Sequence, residues 1–454
     1  MATRADGTIP SSSGLHVRQR LRHVLSWLEG LPATALLILI YIWLCAYIYA
    51  DVISAIAPLR QIGFQAYPAL PFSRPLAAIY ALLPLLWLRR RFRQPSDLMV
   101  LQLYLYVYVP TTIYLTMTTP MNIGDQLGFQ TLMLGALATL ELRRGLPPIT
   151  IERFPITPAI FAFGLGAASL LALSILIIGG ELTFDMLDLA GVYERRSELI
   201  AGQGGSLLLF LANWSSLALA PVCLIYGILS RRWWLVPIGL ALATAAFAAT
   251  SFRSHLFTPV FATMIGLALR QGGARHFALT LILVALALCV FPLVIDWLTG
   301  GLTSWIIHFR FIGNNGFLSA QYFTFFSDMP KGLYQDSIGR FFINPRYHLP
   351  IAEIVGSSFS IAGNHANGNL WADGFGNLGL PGVMIASLSA LLLCWALDSL
   401  GRVVHPLPVV VMSIPLAFAI SNTSVHSAMT SNGGVLLLLL LYLMPEISAR
   451  PREN

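Results

Sequence analysis

Apolar residues in this chain neither alternate nor keep to one face of a helix. They come in near-continuous runs, separated by short polar connections. A run of roughly 20 apolar residues is long enough to cross the hydrocarbon core of a bilayer as a helix, and only helices or closed barrels satisfy their backbone there. About twelve such spans follow from window length. They fall near 33–56, 70–88, 98–118, 126–142, 158–179, 206–229, 233–250, 254–270, 277–299, 373–399, 407–426 and 433–447. The expected fold class is an all-α polytopic membrane protein.

The polar connections orient it. Arg89, Arg90, Arg91 and Arg93, then Arg143 and Arg144, Arg231 and Arg232, Arg270 and Arg275, Arg402, and Arg450 with Arg452 fall on alternate connections. Arg18, Arg20 and Arg22 share that side. Basic residues concentrate on the cytoplasmic side, so both termini are expected inside. The run from Leu31 outlasts the core of a cleavable signal and reads as a signal anchor. The chain then divides into a cytoplasmic segment 1–32, a bundle 33–299 with an intermediate outer loop 180–206, a large outer loop 300–372, a second part of the bundle 373–447, and a cytoplasmic tail 448–454. The large loop is rich in Phe, Tyr and Trp and well supplied with Gly and Asn. Such a loop predicts a folded cap on the outer membrane surface.

Composition agrees. Of 454 residues, 10% are charged, against about 25% in soluble domains. The net charge of +7 comes almost wholly from arginine, with Lys331 the single lysine; topology accounts for it without nucleic acid. Cys45, Cys223, Cys289 and Cys394 all lie inside apolar runs and read as small buried residues rather than disulfide or metal partners. There is no P-loop, no GxGxxG after a strand, no GxSxG and no HExxH. Neither metal nor cofactor is expected.

Candidate chemistry gathers on the outer side. Arg253, in Thr250-Ser251-Phe252-Arg253-Ser254-His255, breaks the positive-inside pattern. Its plain reading is an interfacial arginine reaching headgroups; its functional reading is an anion clamp at the membrane surface. Arg195 and Arg196, in Val192-Tyr193-Glu194-Arg195-Arg196-Ser197-Glu198, are either a solvated helix with local Glu–Arg pairs or a planar fork for phosphate. Arg310, Arg340 and Arg346 add three cations in the large loop. His348, Glu353, His365 and Asp373 are the candidate general bases, judged by reach and pKa.

The stretch GNHANGNLWADGFGNLGLPGV, residues 363–383, reads in two parts. Asn364, Asn367 and Asn369 surround His365 in a polar loop suited to sugar hydroxyls. Asp373 is expected to cap the following helix. Ala372, Gly376, Gly379 and Gly382 form a small-residue face for a neighbouring helix or a lipid chain, and Pro381 is expected to kink the segment.

These pieces together resemble the O-antigen polymerases, also called oligosaccharide repeat-unit polymerases. The resemblance rests on Val192-Tyr193-Glu194-Arg195-Arg196, Thr250-Ser251-Phe252-Arg253-Ser254, the large outer loop, and Asp373-Gly374-Phe375-Gly376-Asn377-Leu378-Gly379 followed by Gly382. It covers most of the chain in layout but only short pieces in motif. The resemblance implies a GT-C-like glycosyltransferase of the bacterial inner membrane, working on the periplasmic face. Such an enzyme moves a growing glycan from undecaprenyl diphosphate onto a lipid-linked repeat unit, without a nucleotide sugar. Its partners would be the undecaprenyl-diphosphate-linked oligosaccharide, membrane lipids, a chain-length regulator and a flippase. Arg253, joined by Arg195, Arg196, Arg310, Arg340 or Arg346, would hold the departing diphosphate. His365 or His348, with Glu353 and Asp373 behind them, would take the acceptor proton. Asn364, Asn367, Asn369 and Tyr193 would face the glycan. An O-antigen ligase shares the donor and differs in the acceptor. A flippase or other transporter would want ionisable residues at mid-membrane depth and internal repeats, and neither is evident here.

Overall fold

The computed structural model describes residues 30–56, 59–60, 63–89, 91–118, 120–150, 152–180, 182–184, 205–272, 277–300, 307–359 and 366–447, without the side chains of 205, 206, 271, 272, 310, 338 and 340. Among these residues the fold is all-helical, with no strand.

In chain order the helices are α1 (Leu31–Tyr47), α2 (Ser73–Leu82), α3 (Ser96–Leu103), α4 (Val109–Tyr114), α5 (Ile123–Thr139), α6 (Pro158–Gly179), α7 (Gly205–Trp214), α8 (Ala220–Leu229) and α9 (Leu235–Thr250). There follow α10 (Arg253–Gly272), α11 (Phe277–Thr299), α12 (Asn314–Asp328), α13 (Ile351–Phe359), α14 (Leu370–Leu378), α15 (Leu380–Val403), α16 (Pro406–Ile420), α17 (Val425–Met429) and α18 (Gly434–Leu443). Five stretches are long and apolar enough to cross a membrane: Leu31–Ile53, Pro158–Gly179, Leu207–Leu229, Phe277–Thr299 and Leu380–Val403. Shorter apolar helices accompany them, at Ser73–Leu86, Leu235–Thr250, Pro406–Ile420 and Gly434–Leu443. Widened π-turns at Tyr104–Tyr108 and Ser215–Leu219 directly precede Pro110 and Pro221. A proline lacks the N–H of the regular ladder and clashes with the carbonyl four residues back, and a π-turn absorbs that mismatch.

α6, α8, α9 and α10 pack together on one side and α1 to α5 on the other; α16 contacts both groups, while α15 packs on α16 and on α3 and α5. At one end, α3, α15 and the turn after α5 are tied by a buried ionic knot. Arg143, 2% exposed, donates from Nη2 to Asp97 Oδ1 at 2.5 Å and from Nε to Ser96 Oγ at 2.6 Å. Asp398, near the end of α15, accepts from the Ser96 N–H at 2.9 Å and its hydroxyl at 2.7 Å. Glu141 pairs with both Arg143 and Arg144. Arg143 is thus more than a topological charge: it links three helices that are distant in sequence.

The segment expected to form the outer loop contains a helix packed into the protein. α12 is buried along most of its length, packed between α4 and α14. A Cβ on Gly316 would lie 2.7 Å from the Pro110 carbonyl oxygen, so only glycine permits this approach. The polar residues that keep α12 from scoring as apolar are bonded internally. Asn315 Nδ2 donates to Tyr106 O at 3.1 Å, and Thr111 Oγ1 to Ser319 Oγ at 3.2 Å.

The seam at 366–383 also differs from expectation. The helix expected from residue 373 is two helices, broken at Gly379, whose φ of +68° suits glycine. Asn369, not Asp373, caps α14: its Oδ1 accepts from Trp371 N at 3.1 Å and Ala372 N at 3.2 Å. Pro381 sits in the first turn of α15, where its missing N–H costs nothing and produces no kink. The small-residue face meets protein. Gly376 lies under Tyr322 and Phe326 of α12, and Gly374 packs backbone to backbone against Gly382.

Candidate functional site

Two polar groups occupy helix ends that the arginine pattern leads one to expect on the outer side. The first is the turn between α9 and α10. Ser251 takes a left-handed conformation at φ +56° and ends α9, with its N–H on Phe247 O at 2.7 Å. α10 starts two residues later at Arg253. His255 is 5% exposed and bridges three segments: Nδ1 lies 2.9 Å from Thr250 Oγ1 and Nε2 lies 2.9 Å from Asn213 Oδ1. Arg253 is half-buried at the first position of a 20-residue helix. A helix N-terminus carries a partial positive charge, which disfavours a cation. An arginine placed there adds its charge to the helix field, and the sum favours an anion.

The second group forms where residues 329–350 fold onto α14. The N–H groups of Gly332 and Leu333 donate to Gly376 O and Asn377 O at 2.9 and 3.0 Å, and Tyr334 N donates to Asn377 Oδ1 at 2.7 Å. Leu333 and Tyr334 are both left-handed, at φ +52° and +57°. Gln335 fastens the returning strand: its Oε1 accepts from Arg346 N and Tyr347 N, each at 3.0 Å, and its Nε2 donates to Tyr347 O at 3.1 Å. Asp336 accepts from Ile351 N at 2.6 Å.

This folding brings Asp336, Tyr334 and Asn377 around Asp373, and α17 adds His426, whose ring meets Tyr334 edge-on at 5.5 Å. Burial, reinforced by the charge of Asp336, pushes the Asp373 carboxyl up to about 7, against a hydrogen bond from Asn377 that holds it down. Burial and the Asp373 charge push the Tyr334 phenol up to about 12. Burial draws the His426 imidazole below its usual range. Lys331 completes the group, its ammonium 4.5 Å from the centre of the Phe375 ring. Burial thus favours the uncharged form of both groups, and it is the carboxyl that is brought to where a proton can exchange near pH 7.

The two groups are joined by the α16–α18 connection. Trp214, next to Asn213, donates from Nε1 to Thr430 O at 3.0 Å, and Thr430 N donates to His426 O at 2.9 Å.

Of the residues expected to act, Tyr193, Arg195, Arg196, Asn364 and His365 lie outside the described residues. Arg310 and Arg340 lie in the turns Phe309–Gly313 and Ile338–Phe341, and their side chains are outside the description. Arg346 is exposed and donates from Nη1 to Lys331 O at 3.3 Å, which places it beside the second group. His348 is exposed on the same returning strand, and Glu353 is half-buried in the first turn of α13. Asn367 is exposed. Asn369 is 1% exposed and spends its amide on Ser319 Oγ at 2.7 Å as well as on the cap. Its side chain is engaged in capping α14 and in bonding α12. Sequence reasoning passed over Tyr334, Asp336, Asn377 and His426 as members. Only Asn377 carried a readable signal, since a residue four after Asp373 shares its helix face.

No group of three or more His, Cys, Asp or Glu that could hold a metal occurs among the described residues. Fold and apolar helices together define an integral multi-pass membrane protein. Comparison with protein-family models, curated proteins and solved structures finds no match for this chain.

Proposed function

We propose that this protein is a polysaccharide polymerase that transfers a growing glycan from undecaprenyl diphosphate onto a lipid-linked repeat unit. The observation that carries the reading is the convergence of Asp373, Asp336, Tyr334 and His426 from three separate segments, joined through one connection to a cation at the N-terminus of α10. The reading includes a GT-C-like arrangement of about twelve spans, both termini cytoplasmic, and a periplasmic working face of a bacterial inner membrane.

The chemistry follows from the two groups. The acceptor hydroxyl attacks the anomeric carbon of the donor glycan, its proton passes to the Asp373 carboxylate, and the carbon–oxygen bond to the diphosphate breaks. The electron pair leaves with the phosphate oxygen, where Arg253 and Arg346 offset the growing charge. A carboxyl with a pKa near 7 is ionised enough to accept a proton and basic enough to hold it. Asp373 thus moves ahead of His365 and His348 as the base. The buried charges Asp97, Arg143 and Asp398 are bound to one another at helix ends, which favours a structural tie over the proton path of a transporter.

Deletion followed by gel analysis of surface polysaccharide tests the reading. Loss of a polymerase leaves single-repeat material on the acceptor, and loss of a ligase leaves none attached. An unchanged glycan profile overturns both. Arg253→Ala at normal protein level is expected to lower polymer by about 10²-fold or more, the effect of removing one charge-stabilising group; Arg253→Ala with full polymer removes Arg253 from the site.

A further inference from the structure

We propose that the returning loop between Leu333 and Leu349 is a membrane-interface finger, with Phe341 and Phe342 seated among the headgroups of the leaflet on its own side and Arg346 beside their phosphates. The proposal does not rest on the glycan-transfer reading.

The base of the loop is built rigidly. Two left-handed residues, four hydrogen bonds of the Gln335 side chain, the Asp336 bond to Ile351 N and the Tyr347 hydroxyl on Pro330 O at 2.6 Å fix its shape. Its turn is tight: Gly339 N donates to Tyr334 O at 2.9 Å and Phe342 N to Gly339 O at 2.9 Å. Left-handed non-glycine residues cost free energy and persist where the surroundings enforce them. Yet this fixed loop presents Phe341 at 70% and Phe342 at 80% exposure, side by side.

In this chain that degree of exposure is found at the ends of the apolar helices, as for Trp297 at 83% and Phe72 at 77%. The same environment accounts for the two phenylalanines. Aromatic rings favour the headgroup layer of a bilayer, where an apolar body and a polar surrounding meet. Charge agrees. Residues 337–349 contain Arg340 and Arg346 and no acidic residue, and Asp336, just before them, is already bound to Ile351 N. A cationic, aromatic loop matches a layer of lipid phosphates.

The test uses the full chain in nanodiscs. The cysteines at 45, 223, 289 and 394 are buried, so Phe342→Cys, or Phe341→Cys if the first variant fails to fold, takes a single environment-sensitive fluorophore. Emission is read against lipids carrying a nitroxide near the headgroup and against aqueous iodide. Loss of emission with the nitroxide lipid and little loss with iodide is the expected result. Quenching by iodide alone overturns the proposal, because the loop then stands in water. Protection from both quenchers also overturns it, because protein then covers the site.

Discussion

At about pH 8, Asp373→Asn is expected to be more stable than the native chain while making no polymer. The ordinary value of 3.8 is raised in the folded chain to about 7, so the native state holds this proton more tightly than the unfolded state. The stability gained from that proton is complete below the unfolded value. It drains away as pH rises between the two values, and above about 7 it is gone. At about 1.4 kcal/mol per pH unit, the gap corresponds to about 4 kcal/mol. This is an upper bound, because the residue is partly open to solvent and the charge is screened there. Asparagine keeps the shape and never ionises, so the variant escapes the loss. Melting of the purified protein in detergent at about pH 5 and about pH 8 measures it: the native chain should lose stability between the two and the variant should not. Asp336→Asn, which removes the neighbouring charge, should shrink the native slope without abolishing it. Equal slopes in the native chain and Asp373→Asn, or a lower melting point for the variant at the higher pH, refute the reasoning.

Arg143→Met removes the cation shared by Asp97, Asp398 and Glu141, leaving Arg89 beside Asp97 and Arg144 beside Glu141. It should cost about 3–5 kcal/mol, read as lower thermal stability in detergent; unchanged melting shows the knot to be dispensable. Gly382→Ala places a methyl group inside contact distance of the Gly374 carbonyl and should destabilise by about 1–3 kcal/mol or more. Gly128→Ala, with nothing within 4 Å of the new carbon, should stabilise α5 by roughly 0.5–1 kcal/mol. Comparing the melting of these two glycine variants tests whether close approach, rather than glycine itself, holds the seam. His426→Ala should lower polymer without lowering the amount of protein in the membrane, and full polymer removes it from the proton-exchanging group.

The amino-acid sequence alone determined the helical, membrane-crossing class, because a bilayer imposes run length on any chain that crosses it. It also singled out Arg253 and the 363–383 seam as candidates, since a cation or a cluster of amides beside apolar runs is visible without coordinates. Three things were decided only in three dimensions. α12 was hidden because Asn315, Ser319 and Gln321 make its window polar, and internal hydrogen bonds that no local pattern announces allow it to be buried. Asn369 took the cap expected of Asp373 because capping depends on where the backbone turns, and the backbone turned at 369. The candidate site gathers Tyr334, Asp373 and His426 across large separations in sequence, and the carboxyl is pushed up only when folding largely buries it and sets Asp336 near it. Periodicity records how each segment meets the membrane; proximity between segments, and the electrostatics that follow from it, exist only in the packed chain.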